Sequence, residues 1–432
     1  MHHLPIPARV FLGPAVAAIL LCGGFATVLR AEPPPLAERF LLGDGIVSGV
    51  AALDRHLAAH GDDDEARFGL GVLQFMRAVE RLGQSLHHHG GLGGESGVAR
   101  IFPLLRLPVP ANPKPAETSY DDVRGMIKAF IADLAAAERT LAAIRDENVA
   151  LPLRFGLVRL DLDGDGKAGE AEALWRLHAA FTGQPRPNAA SERELERQRA
   201  AEALVVRLDR GDAFWLQGYC HLLSAIGEVA LAYDMGEHFD VIAPYLFDRP
   251  RGQALPAGMF SPEAGRWFSA AQLADLYVFM FKTPWPVIDR ERMPAALAHL
   301  EEVVRLSRES WQAIEAETDD ADEWIPNANQ ACVIPGVRVS PEMIAGWREF
   351  LDQAEAILAG RRLVPHWRLA PGQGINLRRV FLEPRPFDVV GWAQGAAAVP
   401  YAEKGECSSS ETWRRLQQVF RGNFIGFAIW FN

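Results

Sequence analysis

Apolar residues recur at spacings of three and four along most of the chain, the period of helices that bury one face. The segment LDRHLAAHGDDDEARFGLGVLQFMRAVERL divides into two amphipathic helices broken near Gly61. Ser119 is placed to cap a helix whose Met126, Ile127, Phe130, Ile131, Leu134, Leu141 and Ile144 share a stripe. SERELERQRAAEALVVRL, starting at Ser191, reads as a helix with a charged outer face. Trp215, Tyr219, Leu222, Leu223, Ile226, Val229, Ala230 and Tyr233 form another apolar stripe, and Leu297–Ile314 and Met343–Leu358 predict two further helices. The expected fold class is mainly α, a multi-helix body.

The pattern breaks at a few places. Gly83–Gly97 is rich in glycine and histidine, Ile101–Pro115 is rich in proline, and Pro185–Ala190 is a short linker. From Leu363 onward Trp367, Phe381, Phe387, Trp392, Phe424, Phe427, Trp430 and Phe431 are interrupted by proline and glycine, with no clean helical period before Glu411. This predicts an irregular aromatic-rich C-terminal cap, with short strands such as RRVFL and DVVGW and with FIGFAIWF buried against the helices. The implied segments are a leader over 1–31, a helical stretch over 32–100, a connection over 101–117, a helix plus acidic loop over 118–184, a helical body over 191–362 and the cap over 363–432. The acidic step after Gly61 resembles a tetratricopeptide-repeat boundary, in a single copy where an array needs several.

Composition narrows the function classes. The 432 residues are 49% hydrophobic, enough for a sizeable core, and the net charge of -11 disfavours nucleic acid as a partner. Arg9 precedes an uncharged apolar run from Val10 to Leu29, and AEPPP follows Arg30. That is the layout of a secretory signal peptide, with an uncleaved anchor or a lipoprotein site at Cys22 as alternatives; each puts the body outside the cytoplasm. Of the other cysteines, Cys332 and Cys407 lie in loop-like sequence and form the expected disulfide pair, whereas Cys220 reads as a buried helical thiol.

One stretch carries specific chemistry. DLDGDGKAGEAE, Asp161–Glu172, sets aspartates at alternate positions, then a glycine, then a glutamate at the twelfth place. Calcium is a hard cation that takes six to eight oxygens, and this spacing lets one short loop supply them. Asp161, Asp163, Asp165 and Glu172 offer carboxylates, Lys167 offers its carbonyl, and Gly166 allows the sharp turn. Before the loop, Leu153, Leu157 and Leu160 predict a helix that Pro152 could start; after it, Leu174, Leu177, His178 and Phe181 predict another. Residues 152 to about 182 thus resemble an EF-hand, a resemblance that covers no other part of the chain. It implies one bound Ca2+. Ala168 replaces the branched residue that pairs two such loops, and no second copy follows: DDADEW at Asp319–Trp324 and GDDDEAR at Gly61–Arg67 lack the glycine and the spacing.

Weaker candidates are His87, His88 and His89 with Glu95; Cys220 and His221 with Glu237, His238 and Asp240; and a polar-aromatic patch of His366, Trp367 and Asn376–Arg379. HExxH, GxSxG and Walker motifs are absent from the sequence. The expectation is an extracytoplasmic calcium-binding helical protein. The alternatives are an interaction module for another envelope protein and an extracytoplasmic enzyme.

Overall fold

The computed structural model describes residues 34–91, 109–176, 192–251, 277, 284–334, 337–420, 422 and 424–431. The apolar leader, Glu95, Leu177, His178 and Phe181 lie outside them. The chain is mainly helical. It opens with α1 (Ile46–Ala59), α2 (Asp64–His88) and α3 (Tyr120–Ala142). The break between α1 and α2 falls at Gly61, as the pattern predicts, and Asp63 caps α2 by accepting from the Ala66 amide at 2.9 Å. Ser119 caps α3 in a reciprocal box with Asp122, which satisfies amides the first turn leaves open.

Next come β1 (Leu151–Leu153), α4 (Glu192–Ala203), β2 (Val206–Leu208), α5 (Arg210–Ala232), α6 (Gly236–Leu246), α7 (Arg292–Ala316) and α8 (Pro341–Leu358). The long helices pack on one another in succession: α1 on α2, α2 on α3, α3 on α5, α5 on α7 and α7 on α8. Glycines set some of the closest approaches. A Cβ on Gly71 of α2 would lie 2.5 Å from Leu141 Cδ2 of α3, and one on Gly227 of α5 would lie 2.8 Å from Ile131 Cδ1. One buried apolar cluster runs from Ala37 to Phe427 and joins all these layers.

Two local expectations are corrected. The segment ahead of the acidic loop is not a helix. Leu151 pairs with Leu208 and Leu153 with Val206 in the antiparallel β1–β2 ribbon, and a single 3-10 turn at Phe155–Leu157 follows. Leu151, Leu153, Val158, Leu160 and Leu162 are all buried, so the period that governs here is two. Pro152, which lacks an amide proton, sits in a two-stranded ribbon, where that loss is tolerated. In the cap, RRVFL and DVVGW are not strands but parts of α9 (Leu377–Leu382) and α10 (Val389–Gln394). Asn376 and Asp388 cap them by accepting from the amides of Arg379 and Gly391. The strands of the cap are β3 (Gln373–Ile375) and β4 (Ala402–Lys404), an antiparallel pair. Finally α11 (Ser410–Val419) and α12 (Phe424–Phe431) close the chain, and Phe427 stacks on Trp311 and meets Trp347 edge-on, as burial of FIGFAIWF requires.

Candidate metal centre

The acidic loop is carried on a β-like stem. Leu174 donates its amide to the Val158 carbonyl at 2.8 Å, and Arg159 bridges Ala173 antiparallel, so the chain entering the loop pairs with the chain leaving it. The stem is fixed from outside as well. The Arg159 amide donates to the Leu41 carbonyl at 2.9 Å, and Glu38 accepts from the amide and guanidinium of Arg154.

Helix α2 holds the loop's first residue. Glu80 Oε1 accepts from the Asp161 amide at 2.9 Å, and Gln84 Nε2 donates to the Asp161 carbonyl at 2.7 Å. The two side chains are one turn apart and share a face of α2. Between them, Gly83 leaves room for Leu162, since a Cβ there would lie 2.5 Å from Leu162 Cδ2. Glu80 is buried. Burial pushes its carboxyl up, against the Asp161 amide and the Arg77 guanidinium, which favour the charged form.

Within the loop the carboxylates organise the backbone before any ion is considered. Asp161 accepts from Gly164 through Oδ1 at 2.8 Å and from Gly166 through Oδ2 at 3.1 Å. Asp163 Oδ1 accepts from the Asp165 amide at 3.0 Å, and Asp165 Oδ1 from the Lys167 amide at 2.8 Å. Gly164 and Gly166 have φ of 74° and 85°, a left-handed backbone that glycine adopts without steric cost. The result brings one carboxylate oxygen from each of Asp161, Asp163 and Asp165 within 4.8 Å of one another.

Glu172 stands apart from this trio. It is buried, and both its oxygens take loop amides: Oε1 from Leu162 at 2.7 Å and Asp163 at 3.3 Å, Oε2 from Gly169 at 2.8 Å. Burial raises its pKa, and the charge of Asp163 adds to that, while the three amides oppose it. Glu172 therefore ties the two ends of the loop together. Lys167 holds its place through its own amide.

Among the described residues, which exclude Glu95, the weaker candidates do not converge. His87 and His89 meet the carbonyls of Pro110 and Glu117, as expected of residues closing a helix rather than of a metal site. His238 is buried against Trp285, whereas Glu237 and Asp240 are exposed. His221 instead pairs with His299, Nδ1 to Nδ1 at 2.7 Å, and lies 3.7 Å from Glu138. Burial, with the charge of His221, lowers the pKa of His299. Cys220, on α5, is buried with Ala78 of α2 and Leu134 and Ala137 of α3, and burial pushes its thiol up. The expected Cys332–Cys407 disulfide is not formed: both are free thiols, Cys332 bridging Glu323 and Cys407 bridging Leu363 in separate parts of the fold. In the cap, Asn376 and Arg379 bond to Glu403, so this part of the patch is internally satisfied. The neighbouring cavity, about 280 Å³, is lined by Tyr233, Phe381, Arg385, Phe387, Trp392 and Tyr401 instead.

A second acidic group escaped the sequence reading. Asp209, Glu317 and Glu323 also bring carboxylate oxygens within 4.8 Å. Glu323 belongs to the DDADEW segment, set aside above for lacking loop spacing. Contiguous spacing cannot reveal a cluster whose members come from the start of one helix and the loop after another. The only sequence signal was a capping-type Asp209 ahead of a helix and a run of acids after another.

No known protein family matches the chain, and neither a curated protein nor a solved structure matches it.

Proposed function

We propose that the protein binds one calcium ion in the Asp161–Glu172 loop and that the ion is structural. The carrying observation is the trio of Asp161, Asp163 and Asp165, whose oxygens converge within 4.8 Å on a backbone already turned by two left-handed glycines. Three neighbouring carboxylates repel one another, and a hard divalent cation relieves that repulsion. One oxygen of Asp163 and one of Asp165 serve the turn, so each residue has its second oxygen to give. Lys167 would add its carbonyl. Glu172 would hold the loop closed, and sharing its lone pairs with the ion would complete the cage.

The ion would act through linkage. The stem joins the N-terminal segment, α2 and the β1–β2 ribbon, so a cation bound only by the folded loop stabilises the place where those elements meet. This reading does not need the EF-hand helices. It also proposes a location outside the cytoplasm, supported by the apolar run from Val10 to Leu29, where calcium sites work in the range of about 0.1–1 mM.

Calcium titration by calorimetry tests the reading, with Asp163→Asn/Asp165→Asn as the control. The expected result is one saturable equivalent more for the protein than for the double variant. Identical heats for the protein and the double variant would sink it.

A further inference from the structure

The second acidic group sits where α5 begins and α7 ends. Asp209 caps α5, with Oδ1 accepting from the amides of Gly211 at 2.7 Å and Asp212 at 3.2 Å. Asp212 returns the bond, Oδ2 accepting from the Asp209 amide at 3.1 Å. Glu317 follows the last residue of α7, and Glu323 comes from the loop beyond it. The Ala321 amide donates to Glu323 Oε1 at 2.9 Å, and Gln330 Nε2 to Glu317 Oε2 at 3.1 Å.

Asp212 lies beside this group, on the first turn of α5. It is 3% exposed, and its Oδ1 has no hydrogen-bond partner. A buried carboxylate oxygen without a donor is costly, and native structures rarely keep one without a reason. Asp212 is in direct contact with Asp209, from whose amide its Oδ2 accepts, so the open oxygen belongs to a residue adjoining the acidic group. Asp209 and Glu317 are half-buried and Glu323 is buried. Asp319 and Asp320 are exposed beside them and make the approach from solvent negative.

Helix α5 itself does not supply the compensation. Its N-terminal amides are spent on Asp209 Oδ1 and Asp212 Oδ2, Ala321 and Gln330 each serve one glutamate oxygen, and a hydrogen bond joins Asp209 to Glu317, which leaves Asp212 Oδ1 without a donor. Burial, joined by the charge of Asp209, raises Glu317 to about 9, and burial, opposed by the Ala321 amide, raises Glu323 to about 7. Burial likewise raises Asp209 and Asp212.

We propose that Asp209, Glu317 and Glu323, backed by Asp212, form a second cation site that takes a hard divalent ion of the calcium class. All its donors are carboxylate oxygens, which suit calcium, magnesium or manganese over softer metals. Calcium fits best, because it accepts many protein oxygens in flexible geometry, whereas magnesium retains several waters that a buried cage excludes. The ion would clamp the start of α5 to the end of α7, at one end of a helix pair central to the body.

The test uses the full chain carrying Asp163→Asn/Asp165→Asn, so that the loop does not contribute. Calorimetric titration with calcium should still show a single saturable equivalent. Adding Glu317→Gln/Glu323→Gln should abolish it. In chelator the glutamine variant should melt no lower than its parent, because near-isosteric amides remove repulsion and keep the bonds from Ala321 and Gln330. Terbium gives a second readout. Its emission, sensitised through Trp324 next to Glu323, should persist in the loop variant and vanish with the glutamines. If the folded loop variant shows neither calcium heat nor terbium emission, the four acids only share protons and the proposal falls. Calcium binding that survives the glutamine substitutions overturns it equally. Equal heats from the protein and the loop variant would count against the first site and leave this one standing.

Discussion

Asp161→Ala and Asp163→Asn separate the turn from the ion. Asp161 accepts from two loop amides whether or not metal is present, so alanine removes both bonds. A net intramolecular hydrogen bond contributes about 0.5–1.5 kcal/mol, and both of these are solvent-exposed. The metal-free Asp161→Ala protein should therefore lose about 1–2 kcal/mol. Asparagine at position 163 keeps the Oδ1 acceptor for Asp165 and removes only a charge, so metal-free stability should change little. Calcium supplies the other half of the cycle. For a dissociation constant of about 0.1–1 mM, calcium at about 10 mM adds about 1.4–2.7 kcal/mol to the intact loop. Both variants should forfeit that increment. Urea midpoints measured in chelator and in calcium give the four values required. The reasoning fails if the variants are equally stable in chelator, or if Asp163→Asn keeps the full calcium increment.

Three more outcomes follow from the packing. Trp347 is 2% exposed and donates to Ser307 Oγ at 3.0 Å, so Trp347→Ala should cost about 3–5 kcal/mol in chemical unfolding, while Trp347→Phe costs about 1–3 by leaving Ser307 unpaired. Arg292 bridges Asp289 and the buried Glu228, so Arg292→Met strands that carboxylate and should cost about 3 kcal/mol, much of it recovered by adding Glu228→Gln. Burial opposes ionisation of Asp64, but the amides of Arg145 and Asp146 and the Arg67 guanidinium outweigh it and hold the carboxyl below its usual range. A depressed folded-state pKa gives stability that is present above about pH 4 and lost as pH falls through the folded value. The stability gap between the protein and Asp64→Asn should therefore close on acidification, read from urea midpoints between about pH 6 and pH 3.

Much of the architecture was legible in the linear pattern. The stripes through Ile127–Leu141 and Trp215–Ala230 became α3 and α5, and the apolar runs at Leu297–Ile314 and Met343–Leu358 became α7 and α8. Strong amphipathic periodicity over many residues leaves a helix little competition. Short segments were read less well. RRVFL and DVVGW favour strands by composition, yet Asn376 and Asp388 cap them as helices, a local bond that outweighs propensity over six residues. Leu153, Leu157 and Leu160 fit a helical spacing, but Leu151, Leu153, Val158, Leu160 and Leu162 fit a period of two, and pairing with β2 decides between them.

The same division runs through the two acidic groups. DLDGDGKAGEAE is local: its aspartates and glycines lie within one turn of chain, so their order nearly determines where their oxygens go, and the sequence alone located it. Tertiary structure decided its setting, replacing the helix expected before it with a paired stem anchored by Glu80 and Gln84 and turning Glu172 to the loop's own amides. Asp209, Glu317 and Glu323 meet only because α5 packs along α7, and no spacing in the chain encodes that meeting. Side-chain order within a turn is set by covalent geometry, whereas a buried charge cluster is set by which helix faces touch.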